Sequence, residues 1–440
     1  MTFAPHTDED LRAMLAACGL DAVEDLFAHL PRGIRLERPL DIPGGVSEME
    51  ILATLEHKAG RDRHVDDLVC FAGGGAYDHY LPAVVWALAG RSELYTSYTP
   101  YQPELSQGVL QALFEYQSMI CDLTGLDASN ASLYDGPTAL VEAANLARAA
   151  TGRPRVLVSD AVDPRYREVL GTFGAGSGLS PEVWKTTDGR GGTPPLDDSV
   201  ACVVVQHPNR HGILEPAADL FARAGQAGAR AIQIFDPMSL GVLAPPADIG
   251  ADIAVAEGQG LGNHLNLGGP YLGIIATRAR DLRLLPGRIV GETVDLDGAR
   301  GYVLTLQARE QHIRREKARS NICTNQTLMA IAAAVHLAWL GPDGLAAVGR
   351  LCHAKAAYAA DALTGIPDVD LRFPDAPFFK EFVLGLPRPA VEVRDRLLDD
   401  GYLAGVPLED DDHALLVAVT ERRSREQIDG LAAALRGALR

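Results

Sequence analysis

The chain has 440 residues, 47% hydrophobic and 22% charged, which excludes a disordered or collagen-like protein. Lysine plus arginine total 40 against 58 for aspartate plus glutamate, a formal charge of −18 that repels polyanions and argues against nucleic-acid binding but not against small anionic ligands. Six scattered cysteines without a CxxC pair speak against a disulfide framework or a structural zinc site and fit a reducing, cytoplasmic setting.

The acidic N-terminus lacks a basic n-region and an apolar core, so no signal peptide is expected. Residues 1–65 read as a helical N-terminal arm. Thr7 and Asp10 have capping-box spacing ahead of Leu11, Met14, Leu15 and Cys18, and Ser47 and Glu50 repeat it ahead of Ile51, Leu52 and Leu55. Residues 66–300 read as a large α/β domain. Helical spacing covers 105–123, and a second helix opens at Pro137 and closes at Gly152. Apolar runs at 155–159, 200–206, 231–235, 252–256 and 271–277 are strand candidates separated by helices, the pattern of a mostly parallel sheet. Residues 301–440 read as a smaller α+β C-terminal domain. It is expected to hold helices over 302–319, 324–340 and 345–362, strands over 381–386 and 414–419, and helices over 389–399 and 425–439. His336 interrupts the richest apolar stretch, 328–340, so no transmembrane helix is expected.

Several segments are candidates for chemistry. Tyr95, Tyr98 and Tyr101 lie in a proline- and hydroxyl-rich segment expected to be an extended loop, either a wall for a planar ligand or partner, or a packed loop. Gly73, Gly74 and Gly75 precede Tyr77, Asp78, His79 and Tyr80, and read first as a turn. Asp135 before Gly136 and Pro137 reads as an N-cap rather than a phosphate seat. The glycine runs 171–178 and 258–262 do not follow a strand and open a helix, so they read as loops and a dinucleotide fold fits poorly. His207 and His211 flank Pro208 and Asn209, which disfavours metal binding, and no metal is expected. Asp236 follows a strand, where pyridoxal-phosphate enzymes place the partner of the pyridinium nitrogen. The chain has five lysines, 58, 185, 317, 355 and 380, and none lies between Asp236 and Lys317, where the Schiff-base lysine is expected.

The run from Gln307 to Ala318 continuing through Asn321-Ile322-Cys323-Thr324-Asn325-Gln326, together with Gly75-Ala76-Tyr77-Asp78-His79-Tyr80, Ala131-Ser132-Leu133-Tyr134-Asp135-Gly136 and Leu285-Pro286-Gly287-Arg288, resembles the P-protein family of the glycine cleavage system. Within it the chain is similar to the α subunit of the two-subunit form, over nearly its whole length. It departs from the family at Ala72, where a bulkier residue is usual, and at Arg210 and His211, where aromatic residues are usual. The resemblance implies an aminotransferase-like fold, that of the fold type I pyridoxal-phosphate transferases. It implies that a β subunit carries the pyridoxal phosphate, which is not covalently bound on this chain. The complex would be an α2β2 heterotetramer that decarboxylates glycine and passes the aminomethyl group to the lipoyl group of the H-protein, without membrane or nucleic acid. Carried onto this chain, it implies Tyr95, Tyr98 and Tyr101 near the substrate or lipoyl channel. Cys323, Thr324 and Asn325, expected where two long helices meet, would approach the cofactor phosphate. Arg288 would orient an anionic group, and His79 is a further catalytic candidate. The competing reading is a catalytically silent scaffold of the same fold.

Overall fold

The computed structural model describes residues 5–36, 38–318 and 320–440, in two compact units that divide between Arg63 and His64. The first unit holds helices α1 (Asp8–Ala17) and α2 (Glu48–Ala59). Both start in capping boxes: the Asp10 carboxylate accepts from the Thr7 amide at 2.8 Å, and that of Glu50 from the Ser47 amide at 2.9 Å. Among the unit's described residues only Leu15 is buried, so it has no core of its own.

The second unit is built on a seven-stranded sheet of β1 (Ala128–Ser129), β2 (Arg155–Ser159), β3 (Ser180–Trp184), β4 (Val200–His207), β5 (Arg230–Phe235), β6 (Ile253–Glu257) and β7 (Gly273–Thr277). Its order is β1-β7-β6-β5-β4-β2-β3; strands β2 to β6 run parallel, and β7 is antiparallel to both neighbours. The helices are α3 (Ala83–Ala89), α4 (Gln107–Thr124), α5 (Gly136–Thr151), α6 (Pro164–Ser177), α7 (Ala217–Gln226) and α8 (Thr327–Thr364). Strand periodicity decides which helix each residue meets. Val156 and Val158 of β2 pack with Leu140 and Ala143 of α5, whereas Leu157 packs on the opposite face with Leu220 and Phe221 of α7. Helix α4 and the first half of α8 cover that second face farther along, over Ala254, Ala256 and Ile274. Helix α5 starts where expected. The Asp135 carboxylate accepts from the Thr138 amide at 2.8 Å, Pro137 lies in the first turn, and Gly152 ends the helix in the left-handed region.

Three expectations are corrected. The span expected as a helix over 302–319 is not one over its described residues, 302–318. Tyr302 and Leu304 alternate with less buried neighbours in the hairpin β8 (Ile289–Val294) and β9 (Arg300–Thr305), and beyond it the described residues hold one α-helical turn, Gln311–Arg314, between two short 3-10 turns, Gln307–Arg309 and Arg315–Lys317. Gly171, Gly174 and Gly176 lie inside α6 rather than in a loop, with Gly178 as its left-handed cap. Tyr95 ends a one-turn helix, Ser92–Tyr95, before the extended segment begins. Helix α8 is long and apolar enough by composition to cross a membrane. It is broken at Gly341 (φ 60°, ψ 179°) beside Pro342, which leaves a first limb, 327–340, of about 21 Å against a hydrocarbon thickness of about 30 Å. That limb buries Met329, Ala330, Ile331 and Ala333 in the core, as a helix of a packed domain does.

A second sheet of β10 (Asp370–Leu371), β11 (Glu381–Gly385), β12 (Val406–Leu408) and β13 (Asp411–Ala418) has the order β10-β11-β13-β12, all antiparallel. The second half of α8, α9 (Ala390–Asp399) and α10 (Arg425–Ala438) pack on it through Ala356, Leu363, Val393, Leu397, Leu431 and Leu435. The two sheets meet where the turn after β4 reaches the start of β11: the Phe379 amide donates to the Gly212 carbonyl at 3.1 Å. Gly212 has φ +78°, and a Cβ there would lie 2.1 Å from the Glu381 carbonyl oxygen. Gly212→Ala is therefore expected to destabilise the chain by roughly 2–4 kcal/mol, read as a lowered denaturation midpoint; an unchanged midpoint would contradict this contact.

Candidate functional site

The carboxyl ends of parallel strands are where ligands bind in open α/β sheets. Here Asp236 follows the last residue of β5 and Glu257 ends β6. Both open into a crevice with Gly75, Tyr77, Asp163, Tyr166, Gln206 and Lys380. Lys380, just before β11, is 1% exposed and directs its ammonium into this crevice. Nζ lies 2.7 Å from Asp236 Oδ2, 3.0 Å from His79 Nε2 and 3.4 Å from the centre of the Tyr77 ring. A buried ammonium needs such partners, and the ring face adds a cation–π contact. Because Lys380 only donates, His79 accepts at Nε2 and carries its proton at Nδ1, which donates to Glu421 at 2.7 Å. Burial raises the Glu421 carboxyl, but the His79 hydrogen bond and the Tyr80 amide outweigh burial and hold it below its ordinary value. His79, Cys352 and Glu421 converge within 4.8 Å. With the Lys380 ammonium on the other side of the imidazole, they form a hydrogen-bonded chain rather than a cation seat.

Glu257 accepts from the Gly136 amide at the start of α5 (3.1 Å), from Leu272 (3.1 Å) and from Gln259 (3.0 Å). Burial nevertheless pushes its carboxyl up to about 7. Glu381 accepts from the Gly74 amide at 2.7 Å and from the Tyr77 hydroxyl at 2.9 Å; burial pushes it to about 7 as well. The glycine run is explained by this contact, since a Cβ on Gly73 would sit 2.2 Å from Glu381 Oε1. The free space left in the crevice is about 40 Å³, room for a water or two against the roughly 300 Å³ or more of a small-molecule pocket.

A second group lies at the start of the β8–β9 hairpin. Arg288 is 4% exposed, and no carboxylate among the described residues pairs with it. Its Nε has no partner, and its nearest polar contact is the Tyr101 hydroxyl at 3.5 Å, with the guanidinium 5.6 Å from that ring's centre. The His312 ring stands edge-on to Tyr101 at 5.9 Å. The Arg288 carbonyl accepts from the Ala131 amide at 2.8 Å, next to Ser132. Ser132 has φ 141°, a strained value for a serine, and its buried hydroxyl has no partner. Asn325 donates to the Ser132 carbonyl at 3.4 Å. Tyr101, Arg288 and Asn325, far apart in the chain, are thus brought together around Ser132.

The remaining candidates lie elsewhere. Tyr95 and Tyr98 are 57% and 71% exposed, and Cys323 and Thr324 are exposed in the coil that leads into α8. That coil does not join two long helices, because the segment before it holds only short turns. His79 belongs to the Lys380 group instead. Sequence reasoning missed Lys380, Glu257 and Ser132. The only signal was the scarcity of lysine, which made each one worth placing.

Glu381 and Glu257 titrate well above their ordinary value of 4.5 in the folded chain. Their contribution to stability is therefore complete below that value and is lost as the pH rises through about 7. Glu381→Gln is expected to lose less thermal stability than the wild type between about pH 5 and about pH 8. An identical decline in both proteins would contradict a neutral Glu381.

The family model described as Glycine cleavage system P-protein matches residues 1–435. The probable glycine dehydrogenase (decarboxylating) subunit 1 of Moorella thermoacetica is 50% identical, with both chains fully covered. A crystal structure of glycine decarboxylase (P-protein) of the glycine cleavage system in inhibitor-bound form is 46% identical, with a TM-score of 0.93 over the full length of both chains. A glutamate decarboxylase of Lactobacillus brevis, 13% identical, covers 95% of this chain and is itself covered to 96% with a TM-score of 0.68; it shares the fold alone. The fold is that of the type I pyridoxal-phosphate enzymes, and the chain belongs to the glycine cleavage system P-protein family.

Proposed function

We propose that this chain is the α subunit of a two-chain glycine decarboxylase and that it completes the active site of a β subunit that carries the cofactor. The observation that carries this reading is Arg288: a buried guanidinium that no carboxylate among the described residues pairs with is costly, and it is rational where an anion arrives from outside. The strained Ser132 beside it is the kind of backbone that persists where function requires it.

Pyridoxal phosphate does not fit this chain's own crevice. The space is too small, and the Lys380 ammonium stands against Asp236, where the cofactor's ring nitrogen would pair. A lysine there is also at the wrong end of the ring, because the ring nitrogen lies opposite the aldehyde carbon. No step of the reaction passes through this crevice.

On the β subunit, pyridoxal phosphate supplies the electron sink for decarboxylation. This chain's part is binding and orientation. Arg288, steadied by the Tyr101 ring, holds an anionic group, either the substrate carboxylate or the cofactor phosphate. Cys323, Thr324 and Asn325 approach the same anion, and the exposed Tyr95 and Tyr98 line the path of the lipoyl group of the H-protein. The assembly is α2β2 and cytoplasmic.

The test is glycine decarboxylation by the reconstituted α–β complex. Arg288→Ala is expected to lower kcat/KM by about 100-fold while the complex still assembles. Arg288→Lys should recover little, because a point charge does not replace the planar fork. Full activity in an assembled Arg288→Ala complex would contradict the proposal and favour the silent scaffold.

A further inference from the structure

We infer that the crevice at the strand ends is a cofactor pocket closed from within. The Glu257 carboxylate takes the anion seat at the start of α5, and the Lys380 ammonium takes the ring-nitrogen seat against Asp236. The two seats are the charge sites that a phosphorylated aromatic cofactor uses: amides at a helix N-terminus for its phosphate, and a carboxylate at a strand end for its ring nitrogen. Each is filled by a side chain of this chain itself, a carboxyl at the first and an ammonium at the second. Glu257 accepts from the first amide of α5 at 3.1 Å and from two further amides. Lys380 meets Asp236 at 2.7 Å.

The space between the seats is filled too. Tyr77 lies over the ammonium at 3.4 Å, and its hydroxyl is held by Glu381 at 2.9 Å, so the ring is fixed where a planar ligand would lie. The hydroxyl of Tyr166 packs against Gly136, where an added Cβ would lie 1.9 Å from it. Lys380 and Glu381 come from the start of the second sheet, and Asp236 and Glu257 from the ends of the first. The closure therefore clasps the two layers together without any ligand.

The test is uptake of inorganic phosphate and of pyridoxal 5′-phosphate by the full chain, read by calorimetry and by cofactor absorbance. The wild type is expected to bind neither in this crevice. Glu257→Ala is expected to gain saturable phosphate binding. Tyr77→Ala/Glu257→Ala/Lys380→Ala is expected to gain pyridoxal phosphate that borohydride does not fix. A folded triple variant that takes up no cofactor, or a wild type that takes it up stoichiometrically, would overturn the inference. Removing Lys380 leaves Asp236 unpaired and can unfold the chain, so a second readout uses the wild type. Lys380 is expected to stay unmodified under conditions that acetylate Lys185, whose side chain is 88% exposed; equal labelling of the two would overturn the inference. Either failure leaves Arg288 untouched, since it is no part of the crevice.

Discussion

The Lys380 ammonium is nearly inaccessible to water, and everything around it is arranged to make that tolerable. An isolated buried ammonium costs several kcal/mol, so its partners are not optional. Asp236 supplies the opposite charge, His79 an acceptor nitrogen and Tyr77 a ring face. Each partner is fixed in turn: Asp236 by the Met238 amide at 3.0 Å, His79 by Glu421, and Tyr77 by Glu381 and by its amide's bond to Gln259 at 2.8 Å. These groups come from the glycine-rich segment before α3, from β5 and from the second sheet. One ion pair therefore sets the relation between the two layers of the larger unit.

Arg288 is the counterpart that lacks this treatment. It is as deeply placed, yet it meets only a tyrosine hydroxyl at the limit of hydrogen bonding and a ring 5.6 Å away. These two buried cations, one fully answered and one not, differ in what surrounds them. The answered cation closes the place where the fold ordinarily holds its cofactor. On the reading proposed above, the unanswered one marks where this chain meets a partner's anion, and a subunit that completes a neighbour's site needs both features.

Five of the seven strands of the large sheet were legible because they are short and apolar, and because Pro137, Gly152 and the capping residues punctuate the helices around them; the two-residue β1 and the exposed, polar β3 were not. The β8–β9 hairpin was not. Tyr302, Val303 and Leu304 continue into the charged run 307–317, whose helical spacing masked the period of two. Asp236 could be placed from its position after a strand, but its partner could not. Lys380 is far along the chain, and the pairing exists only because β11 begins beside the ends of the parallel strands. Arg288 and Asn325 were legible as residue types in a familiar run. Their meeting around Ser132 depends on a strained backbone angle that no sequence pattern announces.

The most direct measurement is borohydride reduction of pyridoxal phosphate on this chain alone and on the chain mixed with its β partner, read by intact mass. The account predicts a label on β only, with Lys380 unlabelled in both samples and glycine decarboxylation requiring both chains. One stoichiometric label on this chain alone, at Lys380 or any other lysine, would contradict it and make the chain a self-sufficient pyridoxal-phosphate enzyme.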